Sequence, residues 1–205
     1  MKKSVIWAFL VSLLFIAPVA VAADEDIVKL VDDAAQRVLA RFNSSKDEFK
    51  AHPERIHDAV QDLVRPHFDL DKLTKSSMGK YWHRASATER GAVVRAFSEL
   101  LIRTYGVALL NYSGKPIEYG EAQRSKDNLR IKVPSKVTAA SGSVVEIVYF
   151  LHKPGKSWLV YDVKLEGISL AVNYRNIFAN EIKAGGMLGL VARLEKNNKA
   201  LVKAN

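Results

Sequence analysis

Catalysis by acid, base or metal needs particular side chains at particular spacings, and this chain offers few of them. Asp162 and Glu166 stand four residues apart at the end of an apolar run, with His152 upstream. Such a set could in principle act as acid and base. Carboxylates in that position more often cap the next helix or pair with nearby Lys and Arg. Of the other histidines, His52 and His57 are five apart, which does not put them on one helix face, and His67 and His83 stand alone. No HExxH pair, GxSxG elbow or glycine-rich phosphate loop after a strand occurs. Gly185-Gly186 reads as a linker between helices. With no cysteine there is neither thiol chemistry nor a disulfide. Tyr81-Trp82-His83 is an aromatic cluster whose ordinary role is packing. No catalytic residue, metal or cofactor is therefore expected.

The elements that would position any site follow from apolar periodicity. Ile27, Leu30, Val31, Ala34, Val38 and Phe42 recur at helical spacing until the polar stretch Asn43 to Lys46. A second helix is predicted from Pro53 to Val64, where Pro suits a first turn and Pro66 ends the run. Leu70 to Lys75 adds a short helical turn. Ser86-Ala87-Thr88-Glu89 is a capping box, and the helix it opens should reach about Asn111. The pattern then changes to strands: Ile117 to Glu121, then the alternating Leu129, Ile131 and Val133, then Val144 to His152. After the turn Lys153-Pro154-Gly155-Lys156 a fourth strand runs from Trp158 to Leu165. The third is apolar on both faces apart from Glu146, as a central strand would be. Leu170, Tyr174, Ile177 and Phe178 return to helical spacing. The Gly185-Gly186 break separates them from a further stripe of Met187, Val191, Leu194 and Leu201. The expected fold class is α+β: a curved antiparallel sheet of about four strands, packed by helices on one face and enclosing an apolar cavity.

Residues 1–22 carry export information. Lys2 and Lys3 precede an apolar run from Val5 to Ala17 and the small-x-small sequence Ala20-Val21-Ala22. This is the layout of a secretory signal peptide, and the run is shorter than the ~20 residues a membrane-spanning helix needs. Cleavage is expected after Ala22, leaving an exported, soluble domain over 23–205. The formal net charge is +9 over the 205 residues and +7 without Lys2 and Lys3. Nucleic acid is disfavoured as a partner by the signal peptide and by the mixing of Lys and Arg with Asp and Glu. An anionic lipid surface or an acidic protein fits better.

Three segments together resemble a known family. They are the run from Tyr161 through Asp162-Val163-Lys164-Leu165-Glu166-Gly167 to Phe178, the stretch Gly186 to Leu194, and Ala87-Thr88-Glu89-Arg90 leading to Phe97, Leu101 and Thr104-Tyr105-Gly106. In this order behind a signal peptide they are similar to the toluene-tolerance family of MlaC-like periplasmic phospholipid-binding proteins. The resemblance implies a cone-shaped fold of the nuclear transport factor type with extra helices. It also implies a carrier, the probably monomeric kind being set aside from any enzyme, that holds acyl tails inside and leaves the headgroup outside. Its expected partners are phospholipid, an inner-membrane ABC transporter complex with its substrate-binding ring, and an outer-membrane lipoprotein–porin complex. The expected role is to maintain outer-membrane lipid asymmetry.

Face by face, the residues expected to line such a cavity are Leu101, Tyr105, Ile131, Val133, Ile147, Tyr149, Val163, Val172, Tyr174 and Phe178. Arg95, Arg103, Lys115 and Lys132 are candidates to meet a headgroup phosphate. Two other readings of the same fold stand beside the carrier. A small periplasmic enzyme would need polar groups converging in the cavity, and a ligand-free adaptor would have a filled core.

Overall fold

The computed structural model describes residues 20–52, 54–106, 108, 109, 112 and 114–204, with side chains described from 25 to 202. Most of the signal sequence, Pro53 and the predicted end of the capped helix at Asn111 lie outside the described residues. Six helices and six strands are named among those residues: α1 Ala20–Ser44, α2 Lys46–Ala51, α3 Glu54–Leu63, α4 Leu70–Met78, α5 Ala87–Gly106, β1 Glu118–Tyr119, β2 Gln123–Arg124, β3 Arg130–Thr138, β4 Val144–His152, β5 Leu159–Leu165, β6 Ile168–Ser169 and α6 Leu170–Ala204. The α+β class holds. None of the helices is long and apolar enough to cross a membrane among the described residues.

The sheet has six strands rather than about four, in the order β1-β3-β4-β5-β6, with β2 also paired to β3. Every pairing is antiparallel. The extra strands, β2 and β6, have two residues each, too short for alternation to reveal. Register aligns Ile131 with Leu151, Val133 with Tyr149 and Ser135 with Ile147 on the β3–β4 pair. It then aligns Ile147 with Leu165 and Tyr149 with Val163 on the β4–β5 pair. Side chains at directly paired positions share a face, so these residues form one apolar inner surface. The bulge between Phe150 and Leu151 bends β4 near its end. On the outer surface Phe150 is covered by the rings and stems of its neighbours. Tyr161 lies 6.4 Å from it and the Lys164 ammonium 6.0 Å away. That explains the apolar residues on both sides of β4 without a second layer of helices.

Helix termini are built where the sequence marks them. The Ser86 hydroxyl accepts from the Glu89 N–H at 3.2 Å, while Glu89 Oε2 accepts from the Ser86 N–H at 2.8 Å, completing the capping box. α5 stops at Gly106, short of the predicted Asn111. A Cβ there would stand 3.2 Å from Ile56 and 3.3 Å from Val60, so glycine permits the close crossing of α3, at a site where its helix propensity is poor. The short α2, absent from the sequence reading, is seated by Phe49, fully buried with its ring 4.8 Å from Phe42. Gly186, at φ 66 and ψ −165, divides α6 into arms over 170–185 and 187–204. Arg193 reaches Glu181 at 3.7 Å across the break, although the same twelve residues would span about 18 Å in a straight helix. The arms therefore fold back as an αα-hairpin, as the Gly185-Gly186 break implied.

Candidate functional site

Nine of the ten residues expected to line a cavity fall on the inner side of the sheet or on helix faces turned toward it. Ile131 (2 % exposed), Val133 and Phe178 (0 %) form a fully buried floor, with Leu101 and Val163 nearly so. Phe178 and Tyr174 clasp Phe97 of α5, with centroids 4.9 and 4.7 Å from it. These edge-to-face contacts fix α6 against α5. Toward the sheet end where β4 begins and β5 ends, burial becomes partial. Ile147, Tyr149, Tyr105 and Tyr174, joined by Tyr119 and Leu165, are half-buried around the same core. The result is a basin with an apolar floor and an aromatic rim.

Val172 is the exception. It is 54 % exposed and faces away from the basin. Ser169 caps this arm, its hydroxyl accepting from the Val172 N–H at 3.1 Å. Val172 then sits two residues from Leu170 and from Tyr174, on the opposite side of the helix.

The phenols form the polar part of the basin. Tyr105 and Tyr174 hydrogen-bond to each other, and burial holds both above the ordinary tyrosine range, Tyr174 at about 12. Burial likewise raises Tyr149, although its hydrogen bond with the Ser135 hydroxyl acts the other way. Tyr119 is raised furthest, by burial first and then by the facing Tyr149 and Asp32. A neutral phenol is what such surroundings favour. Sequence reasoning missed Tyr119 because β1 is two residues long; its register with Ser135 of β3 is what turns it inward.

At the opposite end of the sheet, an apolar cleft of about 90 Å³ opens between α1 and the strands. Val31, Ala34 and Val38 line one side, and Tyr149, Leu151 and Val160 the other. It is smaller than the roughly 300–1,000 Å³ of ordinary small-molecule pockets. Tyr149 belongs both to this cleft and to the basin.

The groups that could have made an enzyme are engaged structurally. Asp162 caps α6: its Oδ1 accepts from the Ala171 N–H at 3.1 Å and its Oδ2 from the Ser169 hydroxyl at 2.6 Å. Glu166 accepts from the Glu146 N–H at 2.5 Å in the two-residue turn joining β5 to β6. His152 lies at the far end of β4, where Nε2–H donates to Asp69 Oδ2 and Nδ1 accepts from the Lys72 ammonium, both at 2.8 Å. Asp69 also caps α4 through the Lys72 N–H at 2.8 Å. His57 ties α3 to α5 through Glu99 at 2.6 Å, and no metal-ligating cluster occurs among the described residues. Trp82 packs against Arg90, whose guanidinium lies 5.3 Å from the ring and donates to the Trp82 carbonyl.

The proposed headgroup cations do not ring the basin. Lys132 is exposed on the outer side of β3, and Lys115 is exposed in the loop before β1. Arg95 and Arg103 line a different groove, between α5 and the last arm of α6. At 100° per residue they lie about half a turn around α5 from Leu101 and Tyr105.

Comparison with known proteins gives this architecture a context. The model of the MlaC protein family matches residues 32–196. Toluene tolerance protein Ttg2D of Pseudomonas putida is 29 % identical over 178 residues, covering 86 % of this chain and 82 % of that protein. The intermembrane phospholipid transport system binding protein MlaC of Haemophilus influenzae is 23 % identical over 199 residues, covering 96 % and 92 %. Among solved structures, a phospholipid-binding protein from Ralstonia solanacearum in complex with a phospholipid is 31 % identical. It superposes with a TM-score of 0.77 over 84 % of this chain and 96 % of that one. The family match spans most of the chain in the order anticipated from its motifs, and the chain belongs to the MlaC protein family.

Proposed function

We propose that this protein is a periplasmic phospholipid carrier, exported by a signal peptide cleaved after Ala22, that holds acyl tails against the inner face of its sheet. The observation that carries the reading is the basin itself, where nine expected residues from four elements meet on one apolar, half-open surface. The similarity to a protein solved with a phospholipid supports it. Burying a methylene is worth about 0.8 kcal/mol, so two ordinary tails represent roughly 20 kcal/mol or more relative to water. Release into water is prohibitive. Transfer between a bilayer and an equally apolar basin is nearly neutral and therefore reversible.

The cleft beneath α1 extends the same apolar surface and is too small for a tail as it stands. α1 is the wall that would give way. Among the described residues no backbone hydrogen bond joins it to the sheet, and its contacts there are side chains such as Val31, Ala34 and Val38. Tails entering the basin would pass Tyr149 and lift α1, exchanging side-chain contacts of one apolar kind for another. The headgroup would stay outside. In the cell the partners would be the inner-membrane ABC transporter complex with its substrate-binding ring and the outer-membrane lipoprotein–porin complex. Shuttling between them would maintain outer-membrane lipid asymmetry.

Organic extraction of the purified protein, followed by mass spectrometry, tests this reading. Stoichiometric phospholipid is the expected result. A protein free of lipid after gentle purification, and unable to take it up from vesicles, would return the choice to the enzyme or the adaptor.

A further inference from the structure

A second cavity lies on the other flank of α5, away from the basin. It is a groove of about 370 Å³ between α5 and the last arm of α6, lined by Arg95, Glu99 and Arg103 on one side and Glu195, Asn198 and Lys199 on the other. Its size falls within the usual range for small-molecule sites. Two buried polar atoms in its lining have no hydrogen-bond partner: the donor Arg103 Nε and the acceptor Asn198 Oδ1. Asn198 is only 8 % exposed, and its other amide atom is already used, donating to the Ala96 carbonyl at 2.9 Å. Arg103 spends its far edge on Glu99 at 2.5 Å, and Glu99 is held on its other oxygen by His57. Buried polar atoms are rarely left unmatched, and here two of opposite sense line one groove.

We propose that this groove is a ligand site of its own, for a small zwitterion carrying an anionic group beside an ammonium. The argument is one of complementarity. Arg103 Nε calls for an acceptor and Asn198 Oδ1 for a donor, so a simple anion satisfies only one of them. Three cations, Arg95, Arg103 and Lys199, face two carboxylates, Glu99 and Glu195. Glu99 is already bonded to Arg103 and His57, which leaves the floor and rim cationic toward an anion. Glu195, beside Asn198 on the same arm, suits an ammonium. A phosphoethanolamine headgroup or a free amino acid has this chemistry. A single water could bridge the two orphans, but it would leave most of the groove and its charges unused.

Titration of the isotope-labelled protein, followed by NMR, tests the proposal. The Arg103 Nε–H and Asn198 side-chain amide resonances are observed while sn-glycero-3-phosphoethanolamine, glycine, inorganic phosphate or ethanolamine is added. One of the two zwitterions should move both resonances, and phosphate or ethanolamine alone should bind at least about tenfold more weakly. A response to the phosphoethanolamine compound assigns the site to lipid headgroups, and one to glycine assigns it to amino acids. N198L and R103K should each weaken binding about tenfold or more. Co-purifying phospholipid should be unchanged in both, because neither residue touches the basin. R103K serves where N198L fails to fold, a circular-dichroism melt deciding. No response to either zwitterion at high millimolar concentration would mean a bridging water only and would overturn the proposal. So would phosphate binding as well as the zwitterions, or affinity that survives both substitutions.

Discussion

Ile147→Trp, paired with Val172→Trp, tests the basin directly. Ile147 is half-buried on the inner face of β4, flanked by Ser135 on β3 and Leu165 on β5. An indole there would project into the space assigned to the tails. If it displaces three or four methylenes at about 0.8 kcal/mol each, retention weakens by about 3 kcal/mol, or roughly a hundredfold. The fold should tolerate the change, since the residue is not enclosed and overpacking of even a well-packed site costs only about 1–3 kcal/mol. Val172 is a control of the same parent chemistry. At 54 % exposure it points to solvent, so the same indole should alter neither stability nor lipid content. The assay is the molar ratio of extracted phospholipid to protein, followed by competition with vesicles of the same lipid. Equal lipid retention in the two variants, both folded, would refute the assignment of this sheet face to the tails.

Other consequences are independent of cargo. Asp69→Ala removes the α4 cap and orphans the His152 Nε2–H, which should cost about 2–3 kcal/mol in urea unfolding. Gly186→Ala places a side chain in a backbone region essentially reserved for glycine, at a cost of about 2 kcal/mol visible as a lowered melting temperature. Tyr174 is held at about 12 by burial and Tyr105. Because the folded value is raised, the contribution of its neutral form is fully present below the ordinary tyrosine value near about 10. It fades as pH climbs through about 12. Absorbance titration near 295 nm should show one high-pH transition fewer in Tyr174→Phe; an unchanged curve would contradict the buried placement.

The strand face was legible because alternation at period two encodes it directly. Ile131 and Val133, Ile147 and Tyr149, and Val163 each follow from their own strand's pattern, and antiparallel register then stacks them side by side. Val172 shows the limit of motif over periodicity. It belongs to the stretch resembling the family, yet the helical spacing of Leu170, Tyr174 and Phe178 already puts it out of phase with the buried side. Tyr119 was illegible for the opposite reason, since a two-residue strand has no periodicity and its facing is decided by its partner in β3. The groove residues were hidden because they come from α5 and the end of α6, about a hundred residues apart. The fold-back at Gly186 that brings Asn198 to Ala96 is a tertiary fact. The single chemical hint was the pair Arg95 and Arg103, correctly noticed as cations and wrongly assigned to the mouth of the cavity.

A carrier that must both take and give has to combine a wall that does not move with one that does. The floor made by Val133, Ile131, Phe97 and Phe178 is close-packed, with exposures of 2 % or less. Close-packed interiors do not deform gradually. The sheet itself is held by continuous backbone ladders through β3, β4 and β5. Any volume for tails must therefore come from elements attached through side chains alone, and α1 is such an element where it faces the cleft. Each apolar contact that α1 gives up on lifting is replaced by one with a tail, so occupancy costs little strain. An empty carrier can close over its own apolar surface rather than expose it to water. Pinning α1 to β5 through an engineered disulfide between residues that approach across this cleft should then block uptake of phospholipid by the lipid-free protein, and reduction should restore it. The chain has no cysteine of its own to interfere. Uptake at an undiminished rate by the oxidised form would show that tails enter without moving this helix.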